Sequence, residues 1–247
     1  MSVRDWYVGI GEDAEARVVI FPHAGAGYTR FAGFANEVGS DIGVWAANLP
    51  GRQARIAEPP PRDLTTLVRT LTDEIAELTR RPYALFGYCG GAVLAFLVAR
   101  SLHERGAPAP RALIVASAEA PDIAWRPRGL AGLPSGQLWA RLLEDGGVPS
   151  DLAVDPSVRS LIEPAVRADF AALAGYRHTA GPPLPCPVVV CFGEDDPTPR
   201  GAWLGWRRQT DHGVRLVQLP GGHWLLDDAC GGLASVVRSA LTVGERV

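Results

Sequence analysis

Residues 85–94 constrain the fold of this chain more than any other stretch. The apolar run 83–86 has the length and composition of a short buried strand, and residues 92–100 have the pattern of a helix. Gly87, Gly90 and Gly91 lie in the connecting segment, and glycine permits the backbone angles of a sharp turn. These residues predict a strand, a tight turn with Cys89 at its apex, and a helix.

The spacing of this turn is G-x-C-x-G, a variant of the G-x-S-x-G nucleophile elbow, in which a strained strand-to-helix turn exposes a reactive side chain. A helix N-terminus stabilises an anion through its free N–H groups and its dipole, so a thiol at this position is favoured as thiolate. The alternative is that Cys89 is a small buried hydrophobic residue, as many free cysteines are. The motif alone does not distinguish a catalytic cysteine from a buried one, so the other motifs of the chain are needed.

The composition fits one globular domain spanning residues 1–247, because 47% of the residues are apolar and can form a large core. The net charge of -3 gives no reason to expect a nucleic-acid partner. The four cysteines lack the spacing of metal ligands, which predicts no metal site. The N-terminus does not resemble a secretion signal, and no apolar run reaches the roughly 18 residues of a membrane span. We therefore expect a cytoplasmic protein with reduced thiols and no membrane partner.

Alternating strand and helix patterns indicate the fold class. Further strands are predicted by apolar runs at 17–21, 42–47, 112–116, 188–192 and 214–219. A helical pattern over 64–78 follows Asp63, a residue type that caps helix N-termini well. Strands that are apolar throughout are typical of a sheet covered on both faces. The sequence predicts an α/β fold with a mostly parallel central sheet and helices on both faces.

The character of the chain changes over about residues 121–185. This segment has no β-branched strand run, but it contains helix-like pieces at 137–144 and 158–173. An all-helical insertion between two strands, at the end of the sheet where the elbow lies, is predicted to be a lid over the site. The alternative is a second structural subdomain.

A glycine-rich loop follows the strand 17–21. It lacks the Lys-Ser/Thr pair of a phosphate-binding loop and the third glycine of a dinucleotide site. In a hydrolase with an elbow, this loop supplies one N–H of the oxyanion hole and the residue after the nucleophile supplies the other. We therefore pair the N–H groups of Ala24 and Gly90. His23, beside this tight turn, is expected to hydrogen-bond the loop rather than to take part in chemistry.

Acidic and histidine residues follow the last two predicted strands. Glu194, Asp195 and Asp196 come after the strand 188–192, and His223 comes after the strand 214–219. Nucleophile, acid, histidine is the chain order of an α/β-hydrolase triad. His223 is the predicted base, because its rival His212 lies in a polar run typical of a solvated turn. The spacing alone leaves the choice of acid open.

The motifs together resemble those of stand-alone type II thioesterases, the editing hydrolases of polyketide and nonribosomal peptide synthetases. The resemblance covers nearly the whole chain. It depends on Phe21-Pro22-His23-Ala24-Gly25, Leu49-Pro50-Gly51-Arg52, Glu58-Pro59-Pro60, the elbow, Arg167-Ala168-Asp169-Phe170, Tyr176, Gly193 to Pro197 and Gly221-Gly222-His223. It implies an α/β-hydrolase fold, a helical lid, no cofactor, and an acyl thioester on the phosphopantetheine arm of a carrier protein. It also implies that Asp196 is the acid of a Cys89, His223, Asp196 triad, with Asp195 as second choice.

The elbow departs from that family in two residues, since Tyr88 replaces its usual histidine and Cys89 its usual serine. Attack by a thiolate on a thioester is a nearly thermoneutral exchange, so the acyl-enzyme stays activated. We therefore expect thioester hydrolysis, with acyl transfer to another carrier thiol or to an amine as the alternative. A degenerate hydrolase that only binds a carrier protein is a third possibility, which the presence of both His223 and the acidic loop disfavours.

The sequence does not identify substrate-binding residues. Trp125, Leu138, Trp139 and Phe170 in the predicted lid could line an apolar passage or form core. Arg126 and Arg128 could meet an acidic carrier protein or form a solvated face.

Overall fold

The strands form one sheet in the computed structural model, which describes residues 6–123, 129–145 and 155–242. In these residues the sheet has seven strands in the order β1-β3-β2-β4-β5-β6-β7. The strands are β1 (Tyr7–Ile10), β2 (Ala16–Phe21), β3 (Ile42–Ala47), β4 (Tyr83–Tyr88), β5 (Leu113–Ala116), β6 (Val188–Gly193) and β7 (Val214–Leu219). β1 pairs antiparallel with β3, and the other pairs are parallel. The predicted mostly parallel sheet is confirmed.

The register of the inner strands brings their carboxyl ends to one edge of the sheet. Tyr88 at the end of β4 is opposite Ala116 at the end of β5, and Gly193 of β6 is opposite Leu219 of β7. β4, β5 and β6 are buried along their whole length, as their continuous apolar runs predict. The residues that follow these strands are therefore neighbours, although they are far apart in sequence.

Helices cover both faces of the sheet. The described helices are α1 (Ala32–Val38), α2 (Leu64–Glu74), α3 (Gly91–Glu104), α4 (Ser135–Glu144), α5 (Pro156–Gly175), α6 (Arg200–Leu204), α7 (Leu225–Asp228) and α8 (Cys230–Thr242). Leu71 of α2 and Phe96 of α3 belong to the core on one face. Phe34 of α1 and Val237 of α8 belong to the core on the other. None of these helices is long and apolar enough to span a bilayer.

Helix α2 begins where the sequence predicts. The carboxylate of Asp63 accepts hydrogen bonds from the backbone N–H groups of Thr65 (3.2 Å) and Thr66 (2.8 Å), which caps the helix. The helix ends at Glu74 and a separate 3₁₀ turn, Leu78–Arg80, follows. The prediction of helical structure through residue 78 was therefore wrong, because apolar spacing continues past the residue at which the backbone leaves the helix.

The β5–β6 insertion contains α4 and α5 and has a small core of its own, which includes Leu138, Trp139 and Val166. Glu163 of α5 accepts hydrogen bonds from Trp139 Nε1 and Ser135 Oγ of α4, both at 2.6 Å. The predicted helical pieces 137–144 and 158–173 are confirmed as parts of α4 and α5. Leu138 and Trp139 are core residues and not the lining of a passage.

Candidate active site

Cys89 stands at the apex of a strained turn between β4 and α3. Its φ is 49°, in the left-handed region that non-glycine residues seldom occupy. The turn is fixed at both sides, since the Cys89 N–H donates to the carbonyl of Ala116 (2.8 Å) and the Cys89 carbonyl accepts from the N–H of Ala92 (3.0 Å). The backbone thus has the geometry of a nucleophile elbow.

The glycines around Cys89 are required by close packing. A Cβ on Gly91 would overlap the carbonyl oxygen of Phe21, and one on Gly87 would overlap the backbone of Ala92. A Cβ on Gly90 would lie 2.6 Å from Leu173 Cδ1 of α5. The elbow therefore fits against the end of β2 on one side and against the β5–β6 insertion on the other.

The loops after β6 and β7 bring an acid and a histidine together. Asp196 Oδ2 lies 3.1 Å from His223 Nδ1, and Asp196 Oδ1 accepts from the N–H of Thr198 (2.9 Å). The Asp196 side chain is only 1% exposed, whereas Glu194 and Asp195 are exposed. His212 is exposed as well. Of the candidate acids, Asp196 is therefore the one that contacts His223.

The charges of this group favour an imidazolium at His223. Burial opposes protonation of the ring, but hydrogen bonds to Asp196 and to Cys89, with the negative charge of both partners, outweigh it and raise the pKa of His223 to about 10. For Asp196, burial raises the pKa, but the hydrogen bonds from His223 and Thr198 are stronger and hold it below its ordinary value. The three side chains can therefore exist as a thiolate, an imidazolium and a carboxylate in one chain of hydrogen bonds.

Two buried hydroxyl groups fix the backbone of His223. Tyr88 Oη donates to the His223 carbonyl at 2.8 Å, and Ser117 Oγ donates to the same oxygen at 2.7 Å. Tyr88 is fully buried and Ser117 is buried at the end of β5 with a φ of 51°. Both residues hold the histidine loop against the strands that flank the elbow.

The predicted oxyanion donors face the same space. Ala24 and Gly90 both line the cavity that contains Cys89 and His223. Neither backbone N–H has an acceptor among the described residues, whereas the neighbouring Gly25 N–H donates to Asp169 Oδ2 at 2.8 Å. Ala24 and Gly90 thus have N–H groups that a ligand oxygen could accept.

A buried ion pair ties helix α5 to this glycine-rich loop. Asp169 of α5 accepts from Arg52 Nη1 (2.7 Å) and Nη2 (2.9 Å), in addition to the Gly25 N–H. Arg52 Nη1 also donates to the carbonyl of Ala26 at 3.1 Å. The two side chains are 4% and 12% exposed, so this bidentate contact is shielded from water.

A cavity of about 1060 Å³ opens above the elbow. Its lining is mainly apolar and comes from the strand ends and the β5–β6 insertion, including Leu142, Phe170 and Leu173. Phe170 is thus a lining residue, as one of the two sequence interpretations held. Trp125, Arg126 and Arg128 lie outside the described residues. Within the described ranges, no three His, Cys, Asp or Glu side chains are grouped so that they could hold a metal ion.

A comparison with known protein families identifies the family of this chain. A family model described as a thioesterase domain matches residues 16–241. The chain belongs to the thioesterase family. This confirms the thioesterase part of the sequence resemblance, and with it the predicted α/β-hydrolase fold and enzyme class.

Relatives and solved structures agree with this assignment. The thioesterase is 30% identical over 228 residues to the gramicidin S biosynthesis protein GrsT of Aneurinibacillus migulanus, which covers 91% of this chain and 89% of that protein. It is 31% identical to the thioesterase PikA5 of Streptomyces venezuelae, over 87% of this chain and 77% of that protein. The structure of the type II thioesterase BorB from the borrelidin biosynthetic cluster superimposes with a TM-score of 0.89 at 29% identity, over 97% of this chain and 98% of that one.

His23 of the thioesterase is placed differently from the prediction. Its ring is buried between Tyr88 and Trp224, at centroid distances of 5.5 and 5.2 Å, and Nδ1 has no hydrogen-bond partner in the described structure. The expectation that this side chain hydrogen-bonds the loop is therefore wrong. Burial, and then the positive charges of Arg30, His223 and Arg52, lower the pKa of His23 to about 3. The ring is a neutral imidazole at any ordinary pH.

Sequence reasoning missed Ser117 and the partnership of Arg52 with Asp169. Ser117 follows a predicted strand at the same edge as the elbow, and that position is the one signal that could have drawn attention to it. Arg52 and Asp169 are 117 residues apart, and nothing local to either residue indicates the contact.

Proposed function

We propose that this thioesterase hydrolyses acyl or aminoacyl thioesters carried on the phosphopantetheine arm of carrier proteins, with Cys89 as nucleophile. The observation that carries the proposal is the chain of contacts from the Cys89 thiol through the His223 ring to Asp196, 3.1 Å from His223 Nδ1, at the base of a cavity large enough for an acyl chain. The same chain belongs to the thioesterase family over residues 16–241.

In the first half of the reaction, the Cys89 thiolate attacks the carbonyl carbon of the thioester. The oxygen becomes an oxyanion, and the N–H groups of Ala24 and Gly90 stabilise it. The bond from carbon to the pantetheine sulfur then breaks, and the imidazolium of His223 gives its proton to the leaving thiolate. Asp196 holds the tautomer and the charge of the imidazole in this step. The products are a free carrier thiol and an acyl group on Cys89.

In the second half, neutral His223 takes a proton from water as the oxygen attacks the acyl carbon. The bond to Cys89 sulfur breaks, the carboxylic acid leaves, and the thiolate beside the imidazolium is restored. In this scheme Tyr88 and Ser117 act through His223 and not on the reacting atoms. They position His223, because both hydroxyl groups hold its carbonyl oxygen.

Synthetase carrier proteins are the proposed partners. One relative is named for gramicidin S biosynthesis and another comes from the borrelidin biosynthetic cluster. We propose that this chain serves in such a pathway as a stand-alone type II enzyme. We also propose that residues 1–247 form one domain and that the β5–β6 insertion, about residues 121–185, acts as its lid.

Acyl transfer is the second candidate function, and the identity of Cys89 favours it. An acyl group on sulfur remains a thioester, so a second carrier thiol or an amine can accept it as readily as water can. The structure of the elbow is compatible with either acceptor, since only the second half of the reaction differs.

Mass spectrometry of an acylated carrier protein incubated with the enzyme tests both functions. Hydrolysis yields empty carrier and free acid, whereas transfer yields acylated second carrier when an empty one is added. Cys89→Ala should abolish both reactions, and trapped wild-type enzyme should carry the acyl mass on Cys89. Turnover by Cys89→Ala at the wild-type rate would refute the proposed mechanism.

A further inference from the structure

Glu119 stands out in the cavity because of its charge. It lies three residues beyond Ala116, the last residue of β5, and it lines the same cavity as Cys89 and His223. The residue is partly exposed, and its carboxylate has no hydrogen bond or ion pair with any described residue. An ionised carboxylate accepts hydrogen bonds only, so this group is open to a donor.

The other charged groups among the described lining residues do not pair with Glu119. Asp145 also lines the cavity, but Arg141 lies 3.3 Å from its carboxylate. Among the described lining residues there is no lysine or arginine, His23 is held neutral by burial, and the positive charge of His223 is paired with Asp196 and Cys89. Among the described lining residues, Glu119 is therefore a carboxylate without a counter-charge in a mainly apolar space.

The position of Glu119 limits where on a substrate it can act. Tyr88 and Ala116 are opposite each other in the paired strands β4 and β5, Cys89 follows the first, and Glu119 follows the second by three residues. Three residues span at most about 11 Å of chain. Glu119 thus lies on the cavity wall formed by the segment after β5, the strand that pairs with the one leading to Cys89.

We propose that Glu119 is a specificity residue that binds an ammonium group on the acyl chain, so that the enzyme prefers amine-bearing acyl thioesters and disfavours carboxylated ones. The inference rests on the proposed reaction at Cys89. A cation in this space gains a charge-assisted hydrogen bond beside a mainly apolar lining, whereas a carboxylate meets a like charge. An uncharged chain of the same length has neither effect.

The test uses thioesters that match in length and differ in the terminal group, each loaded on a carrier protein. The short set is butanoyl, 3-aminopropanoyl and malonyl, and the long set is heptanoyl, 6-aminohexanoyl and adipoyl. For the wild-type enzyme, kcat/KM for the amine in at least one set should exceed that for the uncharged chain roughly tenfold or more. The carboxylated chain should be the poorest of its set.

Variants of Glu119 separate this idea from a merely structural role. Glu119→Gln keeps the shape and should bring the amine and the uncharged chain within about twofold, with little change for the uncharged chain. Glu119→Lys should reverse the order of amine and carboxylate. Glu12→Gln, an exposed change on the loop before β2, is the control and should keep the wild-type ratios.

Different outcomes would contradict the inference about Glu119 and the proposed function. If the uncharged thioesters turn over through Cys89 but Glu119→Gln keeps the wild-type ratios, or the wild type has no preference, the inference about Glu119 is wrong and the proposed function stands. If the Cys89→Ala variant still turns over the uncharged thioesters, the proposed function itself fails.

Discussion

The ion pair between Arg52 and Asp169 gives the sharpest prediction about how this fold controls its site. The Asp169→Asn variant keeps the shape of the side chain but removes its charge. Arg52 is then left buried without a counter-charge, and its Nε already lacks a partner in the described structure. The Gly25 N–H, which donates to Asp169 at 2.8 Å, also loses a charged acceptor.

The expected cost follows from this burial. Removal of one partner from a buried ion pair costs about 3–5 kcal/mol, a large part of the roughly 5–15 kcal/mol by which a typical domain is stable. Exposed pairs contribute about 0–1 kcal/mol. Glu77→Gln is the matched control, because its pair with Arg80 is 2.9 Å long and both side chains are more than 70% exposed. Urea unfolding measures both variants, with an unchanged slope as the condition for comparing midpoints.

Activity separates support of the loop from global stability. The double variant Arg52→Met, Asp169→Leu removes both charges and should recover much of the lost stability. It cannot hold the Gly25 N–H, so the neighbouring Ala24 N–H should be poorly placed for its proposed role as an oxyanion donor. Loss of one such donor costs roughly 10²–10³ in kcat, and we expect at least a tenfold loss in both variants. The reasoning is refuted if kcat recovers together with stability in the double variant, or if Asp169→Asn destabilises the protein by less than about 1 kcal/mol.

Three further predictions concern the histidines and their supports. Because the pKa of His223 is raised to about 10, the rate at which iodoacetamide alkylates Cys89 should change little between about pH 6 and about pH 9. In His223→Ala this rate should rise with pH, as for an ordinary thiol. A steep rise in the wild type would contradict an ion pair between the Cys89 thiolate and the His223 imidazolium. The pKa of His23 is lowered to about 3, so below about pH 6.5 the unfolded chain binds a proton at this residue that the folded protein does not bind. The free energy of unfolding therefore falls as the pH is lowered below about 6.5. That loss is about 2 kcal/mol at pH 5, and urea unfolding of His23→Gln should have a correspondingly weaker pH dependence; equal slopes would argue against a buried neutral ring. Tyr88→Phe and Ser117→Ala each remove one hydrogen bond to the His223 carbonyl. Each should lower kcat several-fold with KM nearly unchanged, and each should move the pH profile of Cys89 alkylation toward that of a free thiol. A change in KM alone would point to another role.

The sequence was most informative where burial is uniform. The inner strands β4, β5 and β6 have no exposed residue, so their apolar runs mark them to within one or two residues. The edge strand β1 was not predicted, because it has four residues, is only partly buried, and owes its conformation to antiparallel pairing with β3. Helix α8 was also missed, and Gly231 and Gly232 in its first turn hide the helical pattern.

The same division holds at the candidate site. Residues at the ends of parallel strands meet by topology, so the approximate positions of Cys89, Asp196 and His223 follow from strand order alone. The supports around them depend on tertiary packing. Ser117 contacts a residue 106 positions away, and Arg52 one 117 positions away, which no local pattern encodes.

The geometry of the elbow does not depend on whether a sulfur or an oxygen atom stands at its apex. The strain at Cys89 resides in the backbone, with a φ of 49°, and the surrounding packing requires glycine at positions 87 and 91 whatever side chain stands at the apex. The fold thus specifies where a nucleophile stands and which groups surround it. In the proposed mechanism, the sulfur at the apex sets the energy of the acyl intermediate, and the carboxylate of Glu119 would set which acyl groups reach it. The two proposals therefore assign acceptor choice and acyl preference to different residues, so variants of Cys89 should alter the first and variants of Glu119 the second.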